Sequence, residues 1–184
     1  MIQERSMAAA NDFQRDQRAV AIRIAAALCV AILVSAAWLH WGAAFPYPLA
    51  DRLIVMARAD VFVVCWLAAA IGNVARLRFF SVDDIAGSGA ATATANMRRA
   101  SAVLQNTLEQ VALAVPIHAA LAILIATSAP LIVALATFFA IGRLLFWIGY
   151  ANGARSRAFG FALTFYPSIA GLLIALVAAM RPLL

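Results

Sequence analysis

Apolar runs of about 20 residues recur along this chain, each long enough to cross the ~30 Å hydrocarbon core of a bilayer as a helix. They occupy residues 20–41, 53–75, 100–126, 131–150 and 161–180. Inside lipid the backbone must satisfy its own hydrogen bonds, which a helix does within one segment. The expectation is an all-α integral membrane protein, and 66% hydrophobic residues with a mean hydropathy of +0.94 agree with it. A soluble domain of 184 residues would be far more polar.

Charge supports the same reading. The 14 basic residues are all arginine, against 8 acidic ones, and most lie at the ends of apolar runs or between them. That distribution is a membrane-topology signal and not a nucleic-acid footprint, so no nucleic-acid partner is expected. The missing lysine and abundant alanine suggest a GC-rich bacterial genome, hence an inner membrane. Cys29 and Cys65 both sit inside apolar runs and read as small packing residues, not as a disulfide or a nucleophile.

Residues 1–18 are polar, mixed in charge and without an apolar stripe, and so read as a cytoplasmic tail. Residues 19–42 read as an accessory transmembrane helix and 53–184 as a four-helix membrane domain. A cleaved signal peptide is the rival for the first run, with Arg15, Arg18 and Arg23 in front of it and small residues at Ser35-Ala36-Ala37. The run exceeds a usual signal core and ends in Trp38 and Trp41, which favours a retained helix with interfacial aromatics. Phe45-Pro46-Tyr47-Pro48 breaks that helix. Residues 76–98, with Asp83, Asp84, Gly87 and Gly89, read as a loop on one membrane face. Thr127-Ser128-Ala129-Pro130 is a tight turn that makes its flanking spans antiparallel neighbours. Ten arginines gather in the tail, the 76–99 segment and the 151–159 segment. The other face has Arg52 and Arg181, with Arg58 just inside. The tail and both basic segments are therefore expected in the cytoplasm, and five spans would leave the C-terminus outside.

Polar side chains within the apolar runs are the candidate functional residues, because an unpartnered carboxylate or guanidinium in hydrocarbon costs several kcal/mol. Arg99 and Asn106, seven apart, share a helix face that Glu109 flanks; Arg143 and Tyr150 repeat the spacing on the next span. From the cytoplasmic ends Glu109 and Arg143 lie about 12 and about 10 Å deep, which makes an ion pair plausible, within one chain or between chains. Such a pair could fix helix register or serve a ligand. Together with Arg157 these groups would form a cationic, hydrogen-bonding pocket bordered by lipid, suited to an anionic amphiphile. His118 points away from Glu109, which argues against a proton relay, and no metal-ligand cluster appears. His40 reads as interfacial. Arg58 and Asp60 do not face each other and each needs a partner elsewhere. Pro116 should kink its span, and Gly142, Gly149 and Gly153 suit close helix packing.

The sequence Arg99-Ala-Ser-Ala-Val-Leu-Gln-Asn106-Thr-Leu-Glu109 resembles the signature of the MAPEG family, the membrane-associated proteins of eicosanoid and glutathione metabolism. The block Arg143-Leu-Leu-Phe-Trp-Ile-Gly149-Tyr150 followed by Arg157 is similar to its third helix and the arginine after it, and Arg76 and Arg78 fall where it has basic residues. The resemblance implies a four-helix bundle in a homotrimer, with the first span as an extra helix. It implies glutathione as co-substrate, bound between subunits near the cytoplasmic face. Arg76, Arg99, Asn106, Glu109 and Tyr150 would bind it, Arg157 would stabilise its thiolate, and the second substrate would be a lipophilic electrophile from the bilayer. Ala102, Phe146 and Gln110 stand where members often carry arginine, tyrosine and tyrosine, each removing a donor. Two readings follow: a glutathione-dependent transferase or peroxidase, or a non-catalytic membrane subunit that binds a partner.

Overall fold

The computed structural model describes residues 2–41, 46–81, 84 and 93–181; in the first helix, side chains are described for 14–33 and 36. Five helices follow one another: α1 (Ile2–Trp41), α2 (Leu49–Phe80), α3 (Ala95–Leu124), α4 (Ala129–Tyr150) and α5 (Ala154–Met180). Four of them, α2 to α5, are long and apolar enough to cross a membrane. The protein is an all-α integral membrane protein.

Helix boundaries run past the apolar runs, because arginine, glutamine and alanine continue a helix as well as leucine does. The expected polar tail is therefore the start of α1, a helix of 40 residues and about 60 Å. The expected loop at 76–98 is correspondingly shorter, since α2 continues to Phe80 and α3 starts at Ala95. Asp83, Gly87 and Gly89 lie outside the described residues, as do the side chains of Trp38, His40 and Trp41. The 151–159 segment is a turn at 151–153, so Arg155 and Arg157 stand in the first turns of α5. Gly153 makes that turn with φ +88°, a backbone region favouring glycine. No atom lies within 4 Å of where its Cβ would be, so Gly153 is a turn residue and not the packing residue expected.

Packing sorts the helices into pairs. The main core joins Ala59 and Val63 of α2, Ile117 and Leu121 of α3, and Ile132 and Phe139 of α4. α3 continues as one helix through Pro116. α4 and α5 approach most closely where they carry glycine: a Cβ on Gly142 would stand 2.8 Å from the Gly160 carbonyl oxygen, and one on Gly149 2.5 Å from that of Ser156. α1 lies against α4 and α5 through Ala27 and Ala31, packed on Phe138, Ala162 and Leu163. Large side chains such as Phe62, Ile148 and Leu173 remain exposed around the bundle, as a lipid-facing surface requires.

Candidate functional site

At the centre lies Arg143 of α4, only 1% exposed. Its Nη1 donates to Asn106 Oδ1 on α3 at 2.8 Å, and its Nε to Thr164 Oγ1 on α5 at 3.3 Å. The Thr164 hydroxyl donates in turn to the Gly160 carbonyl at 2.9 Å. The guanidinium stacks over the Phe146 ring at 4.5 Å, with Phe139 at 5.9 Å. One arginine thus ties three helices together at a single level, where the missing side chains of Gly142 and Gly160 let α4 and α5 approach closely.

The expected Glu109–Arg143 bridge does not form within the chain. Arg143 takes the Asn106 amide, while Glu109 sits on the exposed face of α3 and accepts from Gln105 Nε2 at 3.0 Å. Asn106 and Glu109 are three residues apart on a helix, about 100° per residue, and the inward position goes to the residue whose neutral side chain costs less to bury. The Arg143 Nη2 has no hydrogen-bond partner among the described residues.

Asn106 separates this buried centre from a hollow of about 400 Å³, which it lines together with Ala102, Phe146, Tyr150, Arg157 and two residues of α1. The Arg157 guanidinium stands over the Tyr150 ring at 4.3 Å, and Tyr150 packs edge-on against Phe146 at 5.3 Å. Tyr150 also lines a second hollow, of about 380 Å³, with Arg76, Arg99, Asn73 and Asn96. Arg76 Nη2 donates to Asn73 Oδ1 at 3.1 Å. Of the residues singled out in the sequence, Asn106, Tyr150 and Arg157 therefore share one hollow, and Arg76, Arg99 and Tyr150 share its neighbour. Glu109 lines neither.

The frame of this end is set by the start of α3. Thr94 caps the helix, its hydroxyl accepting from the Met97 N–H at 3.2 Å. Asp84 holds Thr94, accepting from its N–H at 2.8 Å and from its hydroxyl at 2.7 Å. The Thr94 N–H is the largest cause keeping the Asp84 carboxyl below its ordinary value of 3.8. The hydroxyls of Thr94 and Ser81 and the charge of Arg98 add to it against an opposing effect of burial.

One polar contact was not foreseen. His118 of α3 places Nδ1 2.5 Å from Oδ1 of Asp60 on α2, both buried. Asp60 thus has the partner its position demanded, supplied by the histidine on the face of α3 opposite Glu109. The signal was there as the acid in one span and the imidazole in its neighbour, but spacing alone could not set their relative height. A third hollow, of about 510 Å³ between α2 and α4, is lined by apolar side chains except Arg58 and Thr137, and the Thr137 hydroxyl donates to the Val133 carbonyl. Among the described residues no group of three or more His, Cys, Asp or Glu side chains could hold a metal ion.

No curated protein and no solved structure matches the chain. A family model does, that of the MAPEG family, over residues 53–177, which takes in α2 from its fifth residue, all of α3 and α4 and all but the end of α5, and leaves α1 outside. With Asn106, Arg143, Tyr150 and Arg157 all inside the matched span, the chain belongs to the MAPEG family.

Proposed function

We propose that this protein binds glutathione at the paired hollows around Tyr150 and conjugates or reduces lipophilic electrophiles that reach it from the bilayer, on the cytoplasmic side. The observation that carries this reading is the convergence of a guanidinium, a phenol and an amide, from Arg157, Tyr150 and Asn106, on one hollow whose other walls are apolar. Its volume lies within the ~300–1,000 Å³ of small-molecule sites.

The residues suit glutathione chemically. Arg76 and Arg99, in the adjoining hollow, offer two cations for its carboxylates. Arg157 favours the anionic form of a thiol placed beside it, and the thiolate is the nucleophile. The thiol proton leaves to water, and the sulfur forms its bond as the electrophile's leaving group departs. Tyr150, held under Arg157 and against Phe146, stands at the boundary of the two hollows.

The same reading includes a homotrimer. Glu109 is an exposed carboxylate within an apolar span, and its need for a partner there supports a contact with a neighbouring copy. Glu109→Gln should lower recovery of the trimer on light scattering, and normal assembly with lost ligand binding would instead make Glu109 a ligand group.

The test of function is the thermal stability of the detergent-purified protein with millimolar glutathione. A ligand present at about 100 times its Kd stabilises by about 2.7 kcal/mol, an easily measured shift. That shift should vanish in Arg157→Ala. No shift in either protein counts against an enzyme and for the second reading, a non-catalytic membrane subunit. Phe146 favours that alternative: its ring packs on Arg143 and Tyr150 and brings no hydroxyl to the hollow.

A further inference from the structure

α1 lies outside the residues matched by the family, so membership says nothing of its role. Its side chains do. Asp16, Val20, Ile24, Ala27 and Ala31 follow at intervals of three or four residues, which keeps them on one helix face. On that face Ala27 and Ala31 are buried against Phe138, Ala162 and Leu163. Val20 and Ile24 line the 400 Å³ hollow. Beyond them Asp16 forms an ion pair with Arg155, and an Arg23 Nη1 donates to the Arg155 carbonyl at 2.9 Å. The two turns of α1 that border the hollow are thus fastened on both sides, by apolar packing at one end and by an ionic clasp at the other. Arg155 is two residues from Arg157.

Among the described residues α1 touches α4 and α5 but not α3. α3 supplies Ala102 and Asn106 to the hollow. The hollow is therefore a trough with α4 and α5 as its floor, α3 as one bank and α1 as the other. We infer that α1 is the second wall of this ligand site, facing the bank formed by α3, and that Val20 and Ile24 determine which apolar group it accepts. The inference rests on the reading of the hollow as a ligand site. Every polar group in the trough comes from α3, α4 or α5, whereas α1 adds two branched aliphatic side chains. A ligand's polar end belongs to the Asn106 and Arg157 side and its apolar end lies against α1. The volume lies within the ~300–1,000 Å³ of small-molecule sites, and the branched side chains of Val20 and Ile24 form its apolar side.

The experiment uses the full-length protein with Cys29→Ser and Cys65→Ser, carrying Ala102→Cys on the opposite bank as a reporter. The measured quantity is the rate at which a membrane-permeant maleimide labels that cysteine. Ile24→Trp fills the trough and should slow labelling several-fold, whereas Ile32→Trp, at a position 63% exposed on the same helix, should not. Asp16→Arg opens the clasp and should speed labelling, and Arg155→Asp added to it should restore the parent rate. Equal rates in the parent, Ile24→Trp and Ile32→Trp would overturn the inference. Should Ile24→Trp fail to fold, Asp16→Arg decides alone, a faster rate supporting the wall and an unchanged rate refuting it. S-methylglutathione, which has no free thiol to consume the reagent, separates the two ideas. If it fails to protect the reporter while the tryptophan variants still differ, the glutathione reading falls and the wall stands. If it protects while they do not differ, the wall falls and glutathione stands.

Discussion

Where α2 gives way to α3, polar side chains face open space; toward the other end of the bundle they face each other. Asn106, Tyr150 and Arg157 line a hollow of about 400 Å³, with Arg76 and Arg99 in the adjoining one. Asp60 and His118 are equally surprising in an apolar span, yet they close on one another at 2.5 Å, and the hollow between α2 and α4 is almost wholly apolar. An ionisable residue in a membrane helix is a functional suspect by default, but these two regions separate the suspicion from the site. What distinguishes a site is convergence of polar side chains on a volume a ligand could fill. Polar side chains that pair inside the bundle belong to folding, even where one atom, Asp60 Oδ2, keeps no partner among the described residues.

Breaking the paired half should cost the most stability. Asp60→Ala leaves the buried His118 imidazole without its hydrogen-bond partner, and an orphaned buried polar group costs up to about 3 kcal/mol. Unfolding in mixed detergent micelles should report that loss. S-methylglutathione should still protect the Ala102→Cys reporter in the fraction that remains folded. A variant of normal stability with no protection would invert the comparison and make the far half the ligand site.

The next largest effect joins the halves. Gly160→Ala brings a Cβ to 2.3 Å from the Phe146 backbone nitrogen and 2.7 Å from the Gly142 carbonyl oxygen, neither of which can swing aside. Overpacking of this kind costs about 2 kcal/mol. It should also spread α4 from α5 beneath the hollow and weaken ligand protection, so stability and binding fall together. Gly72, with nothing within 4 Å of its Cβ position, is the matched control. Its change to alanine should stabilise α2 by about 0.5–1 kcal/mol and leave binding alone. Arg157→Ala reverses the pattern of Asp60→Ala: the lost stacking on Tyr150 costs only about 0.5–1 kcal/mol, while the shift produced by glutathione disappears.

These contrasts also explain what the sequence could and could not disclose. Four of the five expected membrane spans, those in α2 to α5, were legible because about 20 apolar residues in a row leave few alternatives. Their ends were not, since hydropathy stops where charge begins and the helix does not: α5 starts at Ala154, ahead of the arginines that resemble a loop. The convergence of Asn106, Tyr150 and Arg157 followed from seven-residue spacing and adjacency of spans. The partner of Arg143 did not, because Asn106 and Glu109 lie three residues apart and rotation of the helix decides which one faces in. Asp60 with His118 needed the relative height of two helices, and α1's place along the hollow needed its packing on α5, neither of which any local pattern encodes.

The smallest expected effect concerns how the ligand-facing end is framed. The start of α3 depends on Asp84, an acceptor for the N–H and hydroxyl of Thr94, which in turn caps Met97. Because the folded carboxyl lies below its ordinary value of 3.8, chiefly through the Thr94 N–H, its stabilisation is complete above that pH. It declines as the pH falls below 3.8 and is gone once the pH is under the lowered folded value. Amide hydrogen exchange in the first turn of α3, corrected for its intrinsic pH dependence, should therefore accelerate over that window. Asp84→Asn should show the fast exchange already at neutral pH and remove the dependence. Thr94→Ala should do the same and cost about 1 kcal/mol for the lost cap. If both ends of α3 responded to acid together, the bundle would be one cooperative unit, and the division between an end with open hollows and an end of paired polar groups would hold for geometry but not for energy.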